Sequence, residues 1–159
     1  MTTVFLFCTA DVPARKVDEW GTQPPVEDFT TGFEDASDTD LRLYTRNRIE
    51  ELKNTGDEGQ LSPGWVAILD ERSARDSTVI LQLCEEKSLW ATELEDTEVE
   101  YHVPGEADVY QDEIWWKWRV RFTDAVQLFV SLDDGDFRAM QWYTRPEGYG
   151  PDGVYAMAV

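Results

Sequence analysis

Asp70, Glu71, Arg72, Ser73, Arg75 and Asp76 fill a short gap between two apolar runs, residues 65–69 and 78–83. A carboxylate standing where a strand leaves the core can bind a hard cation through oxygen or, with its pKa raised, move a proton. A further carboxylate, Asp11, comes just after the apolar run at residues 4–8. If the strands that end at Asp11 and Asp70 are parallel neighbours, Asp11, Asp70 and Glu71 gather at their carboxyl ends, the edge where open α/β sheets bind ligands. Asp70 and Glu71 are therefore candidate acid–base groups, and Asp11 and Asp70 are the candidate ligands for a metal such as Mg²⁺. The plainer alternative is that Asp70 caps the loop while Glu71 and Arg72 pair with neighbours or water. A phosphoacceptor arrangement would also need a lysine on a suitable later strand, and none is placed there.

His102 is the single histidine, which excludes a multi-histidine metal site and leaves one residue around which a Ser-His-Asp triad could be built. No G-x-S-x-G elbow accompanies it, so His102 is either a proton-transfer candidate or a half-exposed strand residue beside Glu100. Cys8 and Cys84 both sit in apolar runs without C-x-x-C spacing, which points to buried thiols and to neither zinc nor a disulfide framework. The run Asp133-Asp134-Gly135-Asp136 has a calcium-loop flavour but lacks the glutamate at the twelfth loop position, and it reads better as a turn ending a helix. The later glycines Gly148, Gly150 and Gly153 have turn spacing, not that of a phosphate-binding fingerprint. No cofactor is expected.

The aromatic residues offer a different chemistry. The chain holds seven tryptophans, and Trp115, Trp116, Trp118, Trp142, Tyr143, Tyr149 and Tyr155 concentrate in its last third. Aromatics at strand spacing usually build core. Here, however, Trp115 alternates in phase with Lys117, Arg119 and Arg121, so an apolar pocket or partner surface with a cationic edge could result. Trp115, Lys117, Arg119, Arg121 and Trp142 are the candidate ligand-binding residues. The structural alternative is that the three cations pair across a hairpin with Glu98 and Glu100.

The elements that must position these residues can be read from periodicity. Continuous apolar runs at 4–8, 65–69 and 78–83 predict strands buried on both faces. Ser37, Asp38, Asp40, Lys53 and Gly56 punctuate a helix with Leu41, Tyr44, Ile49 and Leu52 on its packed side. Residues 56–64 read as a linker and 104–113 as a polar connection. Period-two alternation predicts half-buried strands at 98–103 and 114–122, and a short apolar helix is expected at 125–132, capped by Thr123 or Asp124. Residues 137–144 and 154–159 read as final strands, separated by turns. Pro24, Pro25 and Gly32 mark 21–37 as an exposed loop anchored by Phe29 and Phe33, with 145–153 a second exposed loop. The expected fold is α/β or α+β: one domain over 1–159, a mixed sheet, and two or three helices.

Charge bounds the partners. With 33 acidic against 14 basic residues the net charge is −19, which repels nucleic-acid phosphates and anionic membranes at long range. Neither nucleic acid nor a membrane is expected as a partner; a small hydrophobic molecule or a protein is. The acidity itself fits a chain kept soluble by its charge, adaptation to high salt, or an acidic decoy for a basic surface. The beginning of the sequence lacks a basic segment before its short apolar run, so a cytoplasmic location is expected.

A strand ending near Asp11, the block A-I-L-D-E-R-S-x-x-D-x-T-V-I-L at 67–81, and R-V-R-F-T-D-A at 119–125 resemble a family of small α/β proteins catalogued only as a domain of unknown function. The resemblance covers about two-thirds of the chain. It implies no activity, because none is established for that family. The residues themselves support two functions from different classes. One is a non-catalytic binding or interaction protein with an aromatic-rich pocket or surface. The other is a small enzyme enclosing a hydrophobic metabolite, with Asp70, Glu71 or His102 supplying proton transfer.

Overall fold

The computed structural model describes residues 3–10, 32–56, 61–86, 108–110, 113–133 and 146–157. The chain forms two compact units, Met1–Ile80 and Leu81–Val159. Its described strands are paired in both senses and accompanied by three helices, so the class is α+β with a mixed sheet.

In the first unit, β1 (Thr3–Cys8) runs parallel to β2 (Leu61–Leu69), with Phe5 opposite Val66 and Cys8 opposite Leu69. β2 starts earlier than the apolar run alone predicts, taking in residues 61–64 of the expected linker. The register slips between Thr3 and Phe5, where Thr3 pairs with Leu61 but Phe5 with Val66. Pro63, which has no N–H to give to a ladder, and Gly64 lie in the extra length, as bulged strands allow. Residues 65–69 are all buried, which is the expected two-sided burial.

Helix α1 (Asp38–Thr55) begins and ends where its capping residues predict. Ser37 Oγ accepts from the Asp40 N–H at 3.2 Å, and the Asp40 carboxylate accepts from the Ser37 N–H at 3.1 Å. Hydrogen bonds from Ser37, first from its hydroxyl and then from its backbone N–H, hold the Asp40 carboxyl below its ordinary pKa. At the other end Gly56 takes φ 76°, and its N–H reaches the Leu52 and Lys53 carbonyls. The buried side keeps Leu41 and Ile49 of the expected set, gains Arg42 and Thr45, and leaves Leu52 half-buried, while Tyr44 is 42% exposed. A polar residue can occupy a packed stripe when its head is paired, and Arg42 lies 3.8 Å from Asp38 one turn earlier. Tyr44 instead closes an aromatic cluster, its ring 4.8 Å from Phe33 and 5.7 Å from Phe7. Phe33 thereby anchors its turn as predicted, and Phe29 lies outside the described residues.

β3 (Thr78–Glu86) is buried from Thr78 to Leu83, as expected, and emerges at Glu86. In the second unit β4 (Asp108–Tyr110) pairs antiparallel with β5 (Glu113–Arg121), Asp108 facing Trp115 and Tyr110 facing Glu113. The polar connection expected at 104–113 thus contains a strand, in which Val109 and Tyr110 are residue types of β-forming character. The helix of this unit, Phe122–Asp133, starts directly at Phe122, ahead of the caps expected at Thr123 or Asp124, and ends at Asp133 as expected. Leu128 and Leu132, one turn apart, are its buried residues. Of the final strand expected at 154–159, residues 154–157 are described, and among them only Tyr155 forms a β-bridge. The expected strands at 98–103 and 137–144 lie outside the described residues. No described helix is long and apolar enough to cross a membrane.

Candidate functional site

The carboxyl edge of β1 and β2 is built much as the strand-end reasoning requires. The two strands are parallel neighbours, and Thr9 continues the pairing by donating its N–H to the Leu69 carbonyl at 2.9 Å. The Thr9 hydroxyl donates to the same carbonyl at 3.3 Å. The Asp35 N–H reaches the Thr9 carbonyl at 3.3 Å from a left-handed backbone, φ 58°. Thr9, Asp35 and Asp70 therefore mark one edge of the first unit. Asp11 lies outside the described residues.

The segment after Asp70 is not a loop but a helix, α2 (Glu71–Asp76), and Asp70 is its N-cap. One oxygen of its carboxylate accepts both the Ser73 N–H and the Ser73 hydroxyl, each at 2.9 Å. The Ser73 hydroxyl oxygen in turn accepts the Asp70 N–H at 3.1 Å. Ser73 is fully buried under this reciprocal cap. The signal is present in the sequence as D-E-R-S, a capping pair three residues apart with serine in the place usually taken by glutamate or glutamine. Glu71 is exposed on the first turn. At the far end Arg72 and Arg75 converge on Asp76, and the Arg72 hydrogen bond above all holds that carboxyl below its ordinary range. Among the described residues no group of three or more histidine, cysteine or acidic side chains is placed to hold a metal ion.

His102 and Trp142 also lie outside the described residues. The thiol of Cys8 is buried, and burial pushes its pKa up to about 11, which leaves it a packed thiol at neutral pH instead of a nucleophilic thiolate. Glu85, near the end of β3, has its pKa raised first by burial and then by the charge of Glu86.

β5 gathers the other candidates. Ile114, Trp116, Trp118 and Val120 are almost completely buried, so this face is core. The alternate face reads Glu113, Trp115, Lys117, Arg119, Arg121. Trp115 is buried too, only 4% exposed, and its indole N–H points to the Glu113 carboxylate at 3.3 Å. It does not form an open aromatic platform beside the cations. Lys117 and Arg119 are half-buried and Arg121 is exposed. The described β4 register stops at Asp108 opposite Trp115, so no described residue of β4 faces the three cations. Glu98 and Glu100, the partners expected from the hairpin reading, lie outside the described residues.

Sequence reasoning misses how the end of the chain meets this strand. Pro146–Gly148 forms one 3₁₀ turn, and residues 149–156 double back as a hook. The Tyr155 N–H donates to the Arg119 carbonyl at 2.7 Å, and Tyr155 bridges Val120 in parallel and Tyr149 in antiparallel fashion. The Tyr149 and Tyr155 rings meet edge to face, centroids 5.0 Å apart. Burial first, and then Tyr155, push the Tyr149 hydroxyl well above the ordinary range of a tyrosine. Comparison with known protein families, with curated proteins and with solved structures finds no match.

Proposed function

We propose that this protein is a non-catalytic binding module whose ligand, partly apolar and negatively charged, is held along the Lys117, Arg119 and Arg121 face of β5. The observation that carries this reading is the repetition of three cations at strand spacing on one face of β5 in a chain of net charge −19. Strand geometry spaces alternate residues by roughly 6 to 7 Å, so successive cations can share one extended anion or divide two anionic groups. The apolar part would be met by the aliphatic stems of the three cations, since Trp116 and Trp118 are buried on the opposite face of the strand. The engagement of Asp70 in a helix cap supports a binding role over acid–base chemistry at the other candidate edge.

The test compares naphthalene-2-sulfonate with uncharged naphthalene-2-methanol by titration calorimetry. The wild-type chain is expected to favour the sulfonate, and Arg121→Glu to lose that preference by about tenfold, the scale of one charge-assisted hydrogen bond. Because Arg121 is exposed, the melting temperature of this variant is expected to stay close to wild type. Equal affinity of the wild-type chain for the two probes, or no binding of either, overturns the proposal.

A further inference from the structure

We infer that the hook at residues 146–157 is the positioning element of the cationic face, and that Gly148 is the residue that lets it dock. The inference rests on the binding role proposed above. The hook is internally tied: the Gly150 N–H donates to the Val154 carbonyl at 2.9 Å, the Gly153 N–H to the Gly150 carbonyl at 2.9 Å, and the Ala156 N–H to the Gly148 carbonyl at 2.8 Å. The Asp152 carboxylate accepts the Val154 N–H at 3.1 Å and closes the tip. Gly153 there takes φ 72°, a backbone that glycine adopts without steric cost. This tied unit meets β5 through the Tyr155 N–H at the Arg119 carbonyl, inside the span that carries the cations. β5 neighbours β3 in the sheet order; in addition β4 braces Glu113 to Trp115, and the hook braces Arg119 and Val120. A strand held at both ends keeps its alternation, so Arg119 and Arg121 stay on one face.

The docking depends on a close approach. Tyr155 is 3% exposed, and its ring lies across Gly148 so tightly that a β-carbon there would stand 2.2 Å from Cε2 and 2.6 Å from Cζ. Any side chain at position 148 must displace the ring of the residue whose backbone N–H holds Arg119. Tyr155 is thus a positioning residue: it acts on the ligand through the strand.

The test is Gly148→Ala in the full-length chain, read in two ways. Amide exchange at Tyr155 and Ala156, whose N–H groups bond to Arg119 and Gly148, is expected to accelerate. The ratio of affinities for naphthalene-2-sulfonate over naphthalene-2-methanol is expected to fall by about tenfold, while affinity for the uncharged probe holds. A general loss of stability would weaken both probes alike and leave the ratio unchanged. Tyr155→Leu, which removes the ring without adding an atom, is expected to lower the ratio as well and serves if Gly148→Ala does not fold. The double variant is expected to select no worse than Tyr155→Leu alone, since the clash then has no ring to displace. If exchange accelerates but the ratio stays at its wild-type value, or if exchange does not accelerate, the inference is wrong while the binding proposal stands. If the wild-type chain itself shows no preference for the sulfonate, the binding proposal fails and takes this inference with it.

Discussion

At the scale of single residues, the question is what Asp70 is for. Its carboxylate could serve a metal, a proton or a helix, and the geometry commits one of its oxygens to two hydrogen bonds from Ser73. A capping carboxylate satisfies N–H groups that no helical carbonyl can reach. Removing it also strands the Ser73 hydroxyl in a fully buried position. Asp70→Ala is therefore expected to destabilise the chain by about 1 to 2 kcal/mol, the usual loss of a cap plus the cost of an orphaned buried hydroxyl. Asp70→Asn, which keeps an acceptor oxygen, is expected to retain most of that stability. Urea denaturation of the two variants checks both statements, and an Asp70→Ala midpoint equal to wild type would show that the cap contributes nothing. The same residue marks a limit of sequence reasoning. D-E-R-S contains the cap but not its geometry, because a serine three residues after an aspartate is also a common loop pattern.

At the scale of elements, the parts legible in the sequence are those with punctuation at both ends. α1 has Ser37 and Asp40 at its start and Gly56 at its end, and it spans Asp38–Thr55. The apolar runs of β2 and β3 are legible for a related reason, since a buried strand has little choice of residue type; the run of β1 also forms its strand, but at the edge of the sheet, where Leu6 is 39% exposed and the expected two-sided burial is not met. Parallel pairing of β1 with β2, the condition for a shared strand-end edge, is met and brings Thr9 beside Leu69. The elements that escape are short. α2, with six residues, and β4, with three, are too brief for a period to declare itself, and the hook's contact with Arg119 pairs positions far apart in sequence. α2 also ends against its residue preference. Ser77 sits at φ 55°, ψ 49°, the left-handed region where a side chain is crowded. For a non-glycine residue that costs roughly 1 to 2 kcal/mol, against roughly 0.5 to 1 kcal/mol of extra chain entropy that glycine loses on folding. Ser77→Gly should then gain about 0.5 to 1 kcal/mol, visible as a higher denaturant midpoint at unchanged slope. A lower midpoint would mean that the Ser77 side chain makes a contribution larger than the strain of its backbone.

At the scale of the whole molecule, the dominant quantity is charge. A net −19 confined to a folded volume repels itself more than the same charge spread along an unfolded chain, so the native state carries an electrostatic penalty that salt can screen. The Debye length shrinks from about 10 Å at 0.1 M to about 3 Å at 1 M, which removes most repulsion between surface carboxylates over that range. The melting temperature is accordingly expected to rise between about 0.1 and 1 M sodium chloride. For a chain of this length each kcal/mol recovered is worth roughly 2 to 4 °C. The paired groups oppose the trend only slightly, because exposed bridges such as that of Arg48 and Glu51 are worth little at any salt concentration. The shape of the curve separates the origins of the acidity. Screening alone levels off near about 1 M, whereas a chain adapted to high salt continues to gain stability well beyond it. A melting temperature that does not move over this range would show that the carboxylates are spaced too widely to oppose folding. The charge would then act only on partners, keeping anions away except along the Lys117, Arg119 and Arg121 face proposed as the binding site.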